Sequence, residues 1–279
     1  MSYLIPRRRS RPKKRRQVTL YVLMGLIATL FLVAILAPVI APNDPYQTDI
    51  MNQQQGPSAK YPFGTDHLGR CVLSRILYGA TTSLFSSLGI IAIVFLVGSI
   101  LGILAGYFGG VLDTIIMRIT TILQAFPRLI LAIALAGVLG VGIGNTILAL
   151  CVIYWTEYAR IARSLVLSIK ERTYLKSARV CGENHATILV KHVIPNVFPS
   201  LIVTATLDIG TMIMEVAALS YLGLGVKAPM SEWGSMMNLG KQYLQTNPWL
   251  IVVPGIAIFI TVIIFNLFGD KLRDALDLQ

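Results

Sequence analysis

Two carboxylates and a thioether, Asp208, Glu215 and Met212, interrupt the apolar run between Asn196 and Leu224. Residues four and seven apart fall near one face of a helix, so the three share a stripe. An ionisable group inside an apolar helix is costly, and it marks either a solute pathway or a structural pair bonded to neighbouring helices. Both readings stand at this point. Oxygen and thioether donors can pass a metal or another cation, although carboxylate with thioether makes no tight site for any one metal. Met212 and its neighbour Met214 taken by themselves read as packing. No metal-ligating set is assigned.

Catalytic chemistry is not legible. The chain contains no HExxH, no GxSxG and no Walker lysine loop. His67 falls in a polar segment expected on one side of a membrane, and His185 and His192 in one expected on the other. Cys71, Cys151 and Cys181 are widely spaced and form no CxxC pair. No catalytic residue is predicted, and a nucleotide-driven process would need its ATPase on another chain.

The elements that must position the stripe are membrane helices. Of 279 residues, 55% are hydrophobic and 13% charged, with a mean hydropathy of +0.70. A soluble domain of this size carries more charge. The apolar runs predict an all-α polytopic protein with six crossings: Val18–Ile40, Leu84–Phe108, Leu112–Leu139, Asn145–Ala162, Asn196–Leu224 and Pro248–Phe268. The first, 23 residues long, exceeds the core of a cleaved signal and reads as a retained anchor. Gly98, Gly102 and Gly106 recur every four residues in the second, a stripe that lets a neighbouring backbone approach. Pro127 is expected to kink the third, which also holds Asp113, Arg118 and Arg128.

A net charge of +11 raises the question of nucleic acid, and its placement answers it. Eight of the 24 basic residues lie between Arg7 and Arg16, seven between Arg160 and Lys191, and two in the tail at Lys271 and Arg273. The opposite loops hold five: Lys60, Arg70, Arg75, Lys227 and Lys241. Basic loops resist translocation, so this asymmetry predicts cytoplasmic N and C termini. The basic cluster is read as an orienting anchor with a contribution from anionic membrane lipid, and no nucleic acid is expected.

Between the fourth and fifth crossings the chain reads as a short helix, a stop at Gly182, a second short helix, and Pro195 opening the next crossing. This segment resembles the EAA loop of binding-protein-dependent ABC importers, where it docks the permease onto its ATPase. Lys176, Ser177, Ala178, Gly182, Ile194 and Pro195 hold the places of the family's Glu-Ala-Ala, Gly and Leu-Pro, with Lys for Glu and Ser for Ala as departures. Phe63 to Arg75, Ala105 to Gly110, Leu219 to Gly225, Glu232-Trp233-Gly234 and Phe265 to Asp274 are similar to segments of the C-type permeases of the dipeptide, oligopeptide and nickel importers. Cys71 replaces the usual Asp in the first of these.

The resemblance implies a type I importer permease fold. Its parts would be a cytoplasmic tail (1–17), a first crossing (18–40), an extracytoplasmic segment (41–79), a permease core (80–270) with a cytoplasmic coupling loop (163–195), and a second tail (271–279). It implies a second permease as heterodimer partner, two ATPase subunits that bind the ATP and magnesium, and an extracytoplasmic binding protein, in a bacterial cytoplasmic (inner) membrane. No cofactor is expected in this chain. Ala205 to Gly210, and Gly225 to Pro229, look more like the nickel permeases. The expected cargo is therefore nickel or a related metal, as a chelate with a small ligand, with di- or oligopeptides as the alternative. A non-transporting scaffold or sensor, and a secondary transporter, are the readings from other classes. Failure to bind any ATPase would favour the former, and loss of uptake on removing the ATPases would exclude the latter.

Overall fold

The computed structural model describes residues 13–276. The arginines Arg7 to Arg11 and the tail 277–279, to which the expected termini belong, lie outside the described residues. Apart from one β-bridge between Thr65 and Cys71, the regular structure among the described residues is helical. Helix α1 (Lys13–Ile35) leads into α2 (Ala37–Ile40), and Pro42 and Pro45 then end helical structure. The following polar segment folds against the start of α3 (Val72–Phe108) through Asp66. This carboxylate pairs with Arg70 at 2.7 Å and lies 3.6 Å from Arg75, whose guanidinium also donates to the Pro45 carbonyl at 3.0 Å.

Those partners explain a difference from the sequence expectation. The second crossing was expected from Leu84, yet its helix begins at Val72. Arg75 and Ser83 depress local hydropathy, but both are buried against protein groups, so the helix continues through them. The third crossing also differs. Instead of one kinked helix, α4 (Gly110–Gln124) and α5 (Arg128–Leu139) meet at 89°. Pro127 has no N–H to donate and disfavours helix at Phe126, so the chain turns and restarts.

Helix α6 (Ile143–Lys170) runs past the expected end at Ala162, because its later charges find partners. Arg163 binds Asp113 of α4 through two contacts of 2.5 and 2.7 Å, and Lys170 donates to the Gly106 carbonyl at 3.2 Å. After α7 (Thr173–Val180) and α8 (His185–Ile188), a π-helical turn (Leu189–Val193) feeds directly into α9 (Ile194–Tyr221). Helix α10 (Trp233–Gly240) lies in the segment expected as an outer loop, and α11 (Trp249–Ala275) completes the chain.

The glycine stripe is the seam between α3 and α6. A Cβ on Gly98 would meet the Tyr158 Cβ at 2.6 Å, and one on Gly106 the Val166 Cβ at 2.9 Å. Ile90, Val94, Leu150, Ile153 and Val216 fill the core beside this seam, where α9 joins the pair. By length and composition, α1, α3, α9 (with the α8 and π-helical turns before it) and α11 could each cross a membrane, and the bent α4–α5 pair makes a fifth candidate.

Candidate functional site

Helix α9 carries Asp208 and Glu215 toward two tyrosines one turn apart on α6. The Tyr158 hydroxyl donates to Asp208 Oδ2 at 2.7 Å. Glu215 Oε2 is buried with no hydrogen-bond partner. Arg128, the first residue of α5, forms an ion pair with Glu157 of α6, and its guanidinium stands 5.6 Å over the Tyr154 ring. Between them lies a cavity of about 190 Å³ bordered by Arg128, Glu157, Tyr158, Asp208, Thr211 and Met212. The cluster thus offers one guanidinium and carboxylates on two helices, with hydroxyls that can donate to or accept from a guest.

Of the three residues on the sequence stripe, Asp208 and Met212 border this cavity, and Glu215, one helical turn beyond Met212, is not among its lining residues. Met212 is 1% exposed and belongs to the core with Ile90 and Leu150. Among the described residues no group of three or more His, Cys, Asp and Glu stands close enough to hold a metal ion. Sequence reasoning placed Arg128 in the third crossing without assigning it a partner, and passed over Tyr154, Glu157 and Tyr158. Their signal was present: residues three and four apart on one helix share a face, and all three interrupt a largely apolar stretch.

The second group of predicted residues lies around the α7–α8 turn. Gly182 has φ +83° and the turn closes as a helix stop of the Schellman type. The Gly182 amide donates to the Arg179 carbonyl and the Glu183 amide to the Ala178 carbonyl, each at 3.1 Å. No atom lies within 4 Å of a Cβ built on Gly182, so its requirement is conformational and not one of space. Asn184 then caps α8, accepting from the Thr187 amide at 2.8 Å. Leu175, Ala178, Ile188 and Val193 face inward onto Ile103, Val166 and Val197. Lys176, Ser177 and Gly182 face outward, as do Ile194 and Pro195 in the first turn of α9, where a missing proline N–H costs nothing. Lys176 pairs with Glu171 at 2.9 Å. Both are exposed, and Lys176 holds the Glu171 carboxyl below its usual range. Two contacts here were not read from sequence: the Tyr107 hydroxyl with His185 Nδ1, and His192 Nε2 with Glu183, both at 2.9 Å.

Comparison with known proteins places this architecture. Residues 98–278 match the family described as binding-protein-dependent transport system inner membrane component, and residues 15–57 match the N-terminal TM domain of oligopeptide transport permease C. The nickel transport system permease protein NikC of Escherichia coli K12 is 42% identical over 252 residues, which is 90% of this chain and 91% of that protein. The dipeptide transport system permease protein DppC of Alkalihalophilus pseudofirmus is 40% identical over 252 residues, 90% of this chain and 83% of that protein. An inward-facing structure of the MetNI methionine ABC transporter superposes with a TM-score of 0.60 at 19% identity, covering 73% of this chain and 96% of that one, and it shows a shared fold. Family members are inner-membrane components that leave ATP hydrolysis to separate subunits. The chain belongs to the binding-protein-dependent ABC importer family as a C-type permease subunit of the peptide and nickel group.

Proposed function

We propose that this permease forms half of a pathway for a small solute carrying charges of both signs, namely nickel or a related metal bound in an organic chelate. The carrying observation is the cavity where Arg128, held by Glu157, faces Asp208. A bare divalent cation is repelled by a guanidinium, whereas a chelate can present its carboxylates to Arg128 while the Asp208 carboxylate of α9 offsets its positive part. Di- or oligopeptide import is the second reading. It is favoured by the same arginine, whose planar fork suits a peptide carboxylate, and by the similarity to the dipeptide permease.

The reading is tested by measuring uptake of nickel, with and without a carboxylate chelator, and of a labelled dipeptide by the assembled importer. Asp208→Asn keeps the shape and removes the charge, and uptake per assembled complex is expected to fall about tenfold, the scale of one charged hydrogen bond. Normal uptake per complex in this variant would take Asp208 out of the pathway. Wild-type uptake of dipeptide with none of the nickel chelate would replace the metal reading by the peptide one.

In this reading α6 is also a crossing, the fourth in chain order, and brings the five candidates to six. It is about 42 Å long at 1.5 Å per residue, and the charges Glu157, Arg160, Arg163 and Lys170 lower its hydropathy without preventing insertion among partners. The α7–α8 turn then faces the cytoplasm and seats one of two ATPases. A second permease completes the cavity, and a binding protein delivers cargo to the outer face built by residues 41–71 and α10. Cys181, exposed in the α7–α8 turn, is a native reporter. It is expected to resist an impermeant maleimide on intact cells, to react in inside-out vesicles, and to be shielded once the ATPase pair binds. A Ser58→Cys variant should react from outside. Labelling of Cys181 on intact cells would overturn this topology.

A further inference from the structure

Tyr107 closes the inner end of α3, one residue past the last glycine of the seam. It is 4% exposed, yet both short helices of the α7–α8 turn touch it. From α8, His185 Nδ1 meets its hydroxyl at 2.9 Å, with the two rings 5.7 Å apart. From α7, the Arg179 guanidinium sits 5.5 Å over its ring. Phe108 packs edge-on against Tyr107 and 5.9 Å from His185, closing the remaining side. One ring is therefore gripped by the helix before Gly182 and by the helix after it.

What lies behind the ring is rigid. The Gly98, Gly102 and Gly106 seam leaves no room between α3 and α6, and Lys170 ties the end of α6 to the Gly106 carbonyl at 3.2 Å. Close-packed interfaces of this kind move as blocks, since they cannot deform continuously. The same α6 carries Tyr154, Glu157 and Tyr158, which form one wall of the charged cavity. A displacement applied to the α7–α8 turn that moves Tyr107 must move that wall, whereas a turn that slid past Tyr107 would leave it in place.

We propose that Tyr107 is the positioning residue that transmits movement of the docked α7–α8 turn to the cavity, with His185 and Arg179 as its two grips. The proposal rests on the docking role given to that turn above. Being buried, Tyr107 cannot touch an ATPase itself, which separates transmission from docking.

The test uses the four-subunit complex in right-side-out vesicles with ATP and vanadate enclosed. Its readout is the rate at which an impermeant maleimide outside labels a Thr211→Cys reporter at the cavity, in a Cys181→Ser background. ATP with vanadate should accelerate labelling in the otherwise unaltered permease. Tyr107→Phe keeps the ring and loses the hydroxyl, and should cut that acceleration about fivefold, as the loss of one neutral hydrogen bond allows, while the ATPases still co-purify. His185→Ala should do the same, and His185→Gln, which restores an acceptor for the hydroxyl, should recover it to within about twofold. Undiminished acceleration in Tyr107→Phe overturns the proposal, as does a loss of complex with normal acceleration in what remains, which would be a purely structural role. Loss of the ATPases from Tyr107→Phe would make the residue part of docking and overturn it too. Failure of the unaltered permease to retain ATPases would instead sink the docking reading itself.

Discussion

A Gly102→Val permease is expected not to accumulate as a folded membrane protein. A Cβ at this position would stand 2.8 Å from both the Ala159 Cα and the Ala162 Cβ, and the Ala159 carbonyl oxygen is closer still. These neighbours are backbone and a methyl at its root, with no flexible side chain to swing aside. Relief requires α3 and α6 to part, which would also carry Tyr158 and Glu157 away from α9. Overpacking of this severity costs about 3 kcal/mol or more, and in lipid no compensating hydrophobic gain holds the separated helices together. The control is Gly89→Val on the same helix, where a Cβ meets nothing within 4 Å. Yield of monodisperse protein and thermal melting in detergent measure both. Melting of Gly102→Val within about 2 °C of wild type, a shift of no more than about 1 kcal/mol, would show that the seam is looser than the distances imply.

The second large effect concerns Glu232, which is fully buried at the start of α10. Its Oε1 accepts from the Gly234 amide at 2.9 Å and from Ser83 Oγ at 3.1 Å, and its Oε2 accepts from the Ser235 amide at 2.8 Å. Burial pushes the Glu232 carboxyl above its usual range, opposed by these donors. The usually mild change Glu232→Gln is here predicted to be nearly as harmful as Glu232→Ala. Whichever way the amide is turned, its NH2 faces a main-chain N–H, leaving a buried donor unsatisfied at a cost of about 2–3 kcal/mol. Trp233, whose Nε1 donates to the Ile76 carbonyl at 3.0 Å, would lose its support and α10 its seat on α3. Differential scanning of the detergent-solubilised variants should show both melting well below wild type. Glu232→Gln with wild-type stability would mean that one oxygen suffices to cap α10.

The departures from sequence expectation share one cause. Arg75, Ser83, Arg163 and Lys170 each looked like the edge of an apolar span, and each lies inside a helix because a distant group satisfies it: Pro45, Glu232, Asp113 and Gly106 respectively. Hydropathy charges a polar residue the full cost of leaving water, and that cost vanishes when a partner waits in the fold. The bend at Pro127 was foreseen as a kink and found as a right-angle turn, since proline dictates where a helix breaks but not the angle at which the next one packs.

The sequence by itself determined the features that depend on neighbours along the chain. These are the apolar runs, the four-residue glycine period, the stop at Gly182 between two short helices, and the shared face of Asp208 and Glu215, all set by helix periodicity and local backbone preference. The tertiary structure decided which helix lies against the glycine stripe, that Arg128 and Glu157 meet across α5 and α6, that Tyr158 reaches Asp208, and that Tyr107 is held by both halves of the turn. Such pairs are separated by tens of residues, 50 between Tyr158 and Asp208 and 78 between Tyr107 and His185. A hydrogen bond has a reach of about 3 Å, so its partner is chosen by how whole helices pack, and no spacing along the chain encodes that choice.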